Sequence, residues 1–107
     1  MTTLYTIHCG LDTNGHDVDA DSLARQIAAE CFPDGHTIIA AEGRYLMRTT
    51  GEVIDESTLI VQWMATDAQK ANGEAHARVN EFAAAYKAFA HQESVMITTQ
   101  EVYAVFV

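Results

Sequence analysis

The stretch Gly35–Met64, GHTIIAAEGRYLMRTTGEVIDESTLIVQWM, decides the fold. Its two ends, His36–Glu42 and Ser57–Trp63, are rich in β-branched and aromatic residues, which suit a pleated surface with one buried face. Between them, Arg48-Thr-Thr-Gly51-Glu52 offers a glycine that accepts a positive φ, so the two ends read as strands joined by a hairpin.

Working outward, Thr3–Leu11 places Tyr5, Ile7, Cys9 and Leu11 on one side and Thr6, His8 and Gly10 on the other, the period of a strand with unlike faces. Asp12–Asp19, with Asn14-Gly15, has turn composition. Its acids do not follow the EF-hand spacing, and no bidentate glutamate closes the loop. Asp19 or Asp21 can cap a first helix, whose apolar stripe is Leu23, Ile27 and Cys31 supported by Ala24 and Ala28, and Pro33 and Gly35 stop it.

Beyond the hairpin, Asp67 is the expected cap of a second helix with Ala75, Val79, Phe82, Tyr86 and Phe89 on its stripe. Gly73 weakens its first half, and a break is expected near Asn72. Ser94–Phe106 returns to alternation as the last strand or pair of strands, with a bulge or bend expected at Gln100-Glu101 because the run exceeds ordinary strand length.

The order is therefore strand, helix, strand, strand, helix, strand. Two helices with one apolar stripe each must bury it on one sheet face. The expected fold is α+β: a ferredoxin-like βαββαβ sandwich with an antiparallel sheet, both helices on one face and strands one and three central. An α+β meander with helices on one side is the alternative. The 107 residues read as one domain, 1–107, long enough to bury a sizeable core.

Composition narrows the function. Fifteen Asp and Glu against six Lys and Arg give a net charge of −9, which opposes binding to nucleic-acid backbones and anionic membranes. No apolar run approaches the roughly 20 residues of a membrane span, and the basic, apolar leader of a secreted chain is not seen, so the expected location is cytoplasmic. Cys9 and Cys31 fall on apolar positions and read as buried free thiols.

Several short motifs occur together: Phe32-Pro-Asp-Gly35, Gly43-Arg-Tyr45, Gly51-Glu52 with Glu56-Ser57, Tyr86-Lys87 with Phe89, and Gln92-Glu-Ser-Val95. In that combination the chain, over roughly residues 4 to 98, resembles a bacterial family of small uncharacterised proteins, a domain of unknown function. The resemblance implies one domain and supplies no catalytic residue. Many such proteins carry a lipoprotein-type leader, which is not seen here.

Parity assigns Leu59, Val61 and Trp63, with Tyr5, Ile7 and Cys9, to the helix-covered face. The open face then holds Thr6, His8, Thr58, Ile60, Gln62 and Met64, joined by Ser94, Met96 and Thr98, with Glu42, Arg44 or Tyr45 at its edge. Such a mixed face suits a dimer interface, a small-molecule cleft or a bare surface, and two open faces can enclose a pocket. The candidate ligand-binding residues are Thr6, His8, Arg44, Tyr45, Thr58, Gln62 and Met96.

No nucleotide loop, serine elbow or zinc motif is present, and neither metal nor cofactor is expected. His8 is the candidate general base if the chain is an enzyme, and Glu42 and Glu56 are a possible carboxylate pair. The first expectation is a small acidic binding protein, a homodimer, that takes a small molecule or a protein on the open sheet face. The alternatives are a cofactor-independent enzyme of the dimeric α+β type, with Arg44, Tyr45 or Gln62 orienting its substrate, and an acidic inhibitor of a basic protein site.

Overall fold

The computed structural model describes residues 1–107, apart from the side chain of Tyr45. The elements run β1 (Thr2–Gly10), α1 (Ala20–Cys31), β2 (Thr37–Leu46), β3 (Val53–Ala65), α2 (Asp67–Ala71), α3 (Glu74–Phe89) and β4 (Met96–Val102). The four strands form one antiparallel sheet in the order β2-β3-β1-β4, so β1 and β3 are interior.

Period-two patterning builds the sheet's covered face. Tyr5 pairs with Trp63, Ile7 with Val61 and Cys9 with Leu59, and all six side chains are buried. Above them, α1 contributes Ala20, Ala24, Ile27 and Ala28, while α3 contributes Ala75, Val79, Phe82 and Tyr86. Ala20, Ala24 and Ala28 sit deeper than Leu23 and Cys31, which are half-buried, because small side chains let the helix close on its neighbours. Phe32 links the layers, stacking on Trp63 at 4.9 Å and on Phe82 at 5.8 Å between centroids. The Arg78 guanidinium lies 5.2 Å from the centre of the Trp63 ring and bonds Asp34 at 2.9 Å, closing the core's edge.

The helix ends follow local chemistry. Asp19 caps α1 by accepting from the Ser22 backbone N–H at 3.1 Å. For the next helix the cap is Thr66 rather than the expected Asp67: Thr66 Oγ1 accepts from the Gln69 N–H, and Gln69 Oε1 accepts from the Thr66 N–H, a capping box. The break anticipated near Asn72 divides α2 from α3. Gly73 takes φ of 82°, which a side chain would resist, and Asn72 Oδ1 receives the Glu74 N–H at 2.9 Å.

Three expectations are corrected. β2 and β3 extend well past Glu42 and Ser57 as a two-stranded arm, pairing Arg44 with Asp55 and Leu46 with Val53. β4 spans only Met96–Val102 and runs without a bulge, since Leu4 pairs with Gln100 and Thr3 with Glu101 in unbroken register. It ends where β1 begins: Val102 meets Thr2, the first residue of β1, and among the described residues no partner strand remains for Tyr103–Phe106. Phe89 is 62% exposed, and Ala90, one helical turn beyond Tyr86, occupies the buried place instead.

Both cysteines are free, Cys9 buried and Cys31 half-buried. Burial pushes the Cys9 thiol up to about 12, so it packs as a neutral apolar group. Among the described residues, no helix is long and apolar enough to cross a membrane.

Candidate functional site

The open face ends in a cleft where β1, the β2–β3 arm and the α3–β4 connection converge. Its volume is about 650 Å³, and its lining includes His8, Gly10, Asp12, Glu56, Gln92 and Met96. The site is built around Gly10, the last residue of β1, which pairs with Thr58 and therefore faces the open side. β3 continues past that pair, and Glu56, two residues back along it, shares the same face.

The missing side chain of Gly10 is what admits Glu56. A Cβ built at Gly10 would meet the Glu56 carboxylate, with Cδ at 2.9 Å, and Gln92 Oε1 at 3.1 Å. From the helix side, the Tyr86 hydroxyl donates to the Gly10 carbonyl. Gly10 is thus fixed from below by a core tyrosine and covered from above by a carboxylate.

Burial raises the Glu56 carboxyl above the ordinary carboxylate range; the nearby charge of Asp12 adds to that rise, while the Asp12 backbone N–H opposes it. Tyr86 is also raised, first by burial and then by neighbouring acidic groups, which keeps its hydroxyl a donor.

Two chain segments distant in sequence form the wall. Gln92 Nε2 donates to the Asp12 carbonyl and, at 3.2 Å, to the Ala90 carbonyl. Asn14 Nδ2 donates to the His91 carbonyl at 2.6 Å. The His16 and His91 rings stack at 3.6 Å between centroids and 10° between planes. These contacts bind the Asp12–Asp19 loop to the connection between α3 and β4.

The candidate residues divide between two places. His8, Thr58 and Met96 line the cleft with Glu56. Thr6 and Gln62 lie further along the same face, paired across β1 and β3, with Gln62 Nε2 3.4 Å from Thr6 Oγ1. Arg44 reaches the cleft's border, yet it pairs opposite Asp55, on the parity of Ser57 and Leu59, and its guanidinium is held by that carboxylate at 2.7 and 3.2 Å. The Tyr45 side chain falls outside the described residues.

Glu42 and Glu56 are not a carboxylate pair. Glu42 stands opposite Ser57, and Glu56 opposite Gly43, so the two acids point to opposite faces. Gly10, Asp12, Tyr86 and Gln92 were not among the candidates. The signals for two of them were present: Gly10 on the open parity of strand one, and Gln92 at a helix end. Among the described residues, no cluster of three His, Cys, Asp or Glu could hold a metal ion.

A family model described as "Protein of unknown function (DUF3574)" matches residues 7–106. No curated protein matches. Two solved structures share the fold: a phage SAM lyase in complex with S-methyl-5'-thioadenosine, at TM-score 0.68 and 15% identity over 94% of this chain and 81% of that one, and a phage SAM lyase in the apo state, at TM-score 0.61 and 17% identity over 92% and 78%.

Proposed function

Since the chain belongs to the DUF3574 family, for which no function is established, we propose from its geometry that it binds a small molecule in the open-face cleft, with Glu56 as the anchoring residue. The observation that carries this reading is the half-buried Glu56 carboxylate held over Gly10 with its affinity for a proton raised. A carboxylate withdrawn from water without an arginine or lysine partner is costly to the fold, and a ligand that supplies a cation or a hydrogen-bond donor recovers that cost. Among the described ion pairs, none uses Glu56.

The cleft's other groups define the ligand's class. Met47, Ile54 and Met96 give apolar contact, while His8, Gln92 and Ser94 offer polar groups, a combination that suits a compact molecule with an apolar body and one cationic or donor group. Support for a first probe comes from the phage SAM lyase that shares the fold and was solved in complex with S-methyl-5'-thioadenosine. The frame we assign is the ferredoxin-like sandwich, supported by the interior position of β1 and β3.

The test is isothermal titration with S-methyl-5'-thioadenosine and SAM, alongside a thermal-shift screen of cationic metabolites. Saturable binding that Glu56→Gln weakens is expected. Binding unchanged by Glu56→Gln, or no stabilisation across the screen, would overturn the reading.

A catalytic reading is favoured by the same carboxyl. A raised pKa suits general acid or base work, and it moves the candidate role from His8 to Glu56. Product formation from SAM, followed by chromatography and lost in Glu56→Gln, is the expected signature of that reading.

A further inference from the structure

β4 lies at one end of the sheet, so one row of its backbone N–H and C=O groups meets no strand. Edge strands are ordinarily guarded by lysine, proline, a bulge or a covering loop. Met96–Val102, MITTQEV, has no lysine, proline or glycine, carries the single charge of Glu101, and runs in unbroken register. The opposite edge, β2, carries Glu42, Gly43 and Arg44. Directly after β4 come Tyr103 and Phe106, 84% and 89% exposed, with Val105 and Val107 beside them. The family match extends through residue 106, so this apolar segment is part of the shared domain.

We propose that two copies of this chain join β4 to β4, antiparallel, about a two-fold axis at Thr99, forming one continuous sheet. In that register Met96 meets the partner's Val102, Thr98 meets the partner's Gln100, and Ile97 meets the partner's Glu101. Each pair shares one sheet face, because Ile97, Thr99 and Glu101 stand opposite Ile7, Tyr5 and Thr3, while Met96, Thr98, Gln100 and Val102 occupy the other parity. Apolar residues meet at Met96, and Glu101 never faces another carboxylate. An isologous pairing of this kind closes as a dimer and leaves no further β4 edge for a third copy.

The same register carries the segment after Val102 to the partner's cleft. The partner's Tyr103–Phe106 run on toward Ser94 and Gln92, both cleft residues. The second copy thereby supplies an apolar side chain to the site. This last step rests on the cleft being a ligand site; the dimer does not.

Native mass spectrometry and light scattering test the dimer. The wild-type chain is expected at twice its 11.7 kDa mass. Thr99→Lys, which sets two ammonium groups against each other at the axis, is expected to be monomeric with an unchanged circular dichroism spectrum. Thr99→Cys is expected to form an intermolecular disulfide under mild oxidation, whereas Thr37→Cys on the other edge and the wild-type chain are not. A monomeric wild type, or a Thr99→Cys chain that cross-links no faster than Thr37→Cys, overturns the proposal. For the cleft, Phe106→Ala in the full chain is expected to lose affinity for S-methyl-5'-thioadenosine with its dimer mass kept, and unchanged affinity would overturn this step. If the wild type binds no probe while the masses behave as stated, the ligand reading fails and the dimer stands.

Discussion

The carboxylate of Glu56 occupies the space that a side chain on Gly10 would fill. A strand-end glycine, of a kind usually read as a tolerance for bending, here serves as a seat for an acid. Gly10→Ala therefore tests the seat without touching the acid. The added methyl displaces the flexible end of Glu56, while the strand keeps its pairing and the chain loses some unfolded-state freedom. The expected result is a melting temperature within a few degrees of wild type, together with about tenfold or greater loss of ligand affinity by titration.

Glu56 also sets the sign of one pH effect. Its carboxyl is raised in the fold, so the native state holds its proton more tightly than the unfolded chain does. Its contribution to stability therefore falls as pH rises from the ordinary carboxylate value through the raised one, and the penalty stays above that. Glu56→Gln is expected to melt slightly higher than wild type near neutral pH, with the difference vanishing below the ordinary carboxylate range. Paired thermal melts across that range check it.

Asp19 behaves oppositely. Its bonds to the backbone N–H and hydroxyl of Ser22 lower its carboxyl below the usual range, so the cap's contribution is present above the unfolded value and is lost as pH falls through the folded one. Asp19→Ala is expected to lower the melting temperature by several degrees at neutral pH, and Asp19→Asn by less, because the amide oxygen still accepts. The gap between Asp19→Ala and wild type should narrow in acid.

Phe82 is fully buried between Phe32 and Tyr86, with centroids 5.8 and 6.3 Å away. Truncation to alanine removes the ring from the contact of both helices and leaves a cavity, at a cost of about 3–5 kcal/mol. Against the roughly 5–15 kcal/mol that holds a domain of this size, that is a large share. Phe82→Leu is expected to lose less. Chemical denaturation of the three proteins gives the order, and equal midpoints would contradict the packing described.

The sheet was legible in the sequence because alternation is local. Tyr5, Ile7 and Cys9 declare their face within five residues, and Leu59, Val61 and Trp63 do the same, so the face of each needs no knowledge of the rest of the chain. The failures lie where a neighbour's extent decides the outcome. Ser94–Phe106 alternates as a strand would, but β1 begins opposite Val102 and gives Tyr103–Phe106 no partner. Phe89 fits the helical stripe, but the last turn buries Ala90.

The cleft was the least legible part. Its position depends on the ends of β1, β3 and α3 meeting at Gly10, and no periodicity reports where elements end relative to one another. His8 and Met96 emerged from parity, whereas Gln92 and Tyr86 act through single bonds to carbonyls on a segment far away in the chain.

The bonds from Asn14 to His91 and from Gln92 to Asp12 span 77 and 80 residues. Loop closure over such distances comes late in folding, since its entropy is recovered only after the intervening chain is ordered. During synthesis the hairpin and α1 are complete while one side of the cleft wall has not yet been made. The cleft therefore appears with the last segment of the domain, and amide exchange around Asp12 and Gln92 reports that moment separately from the closing of the core.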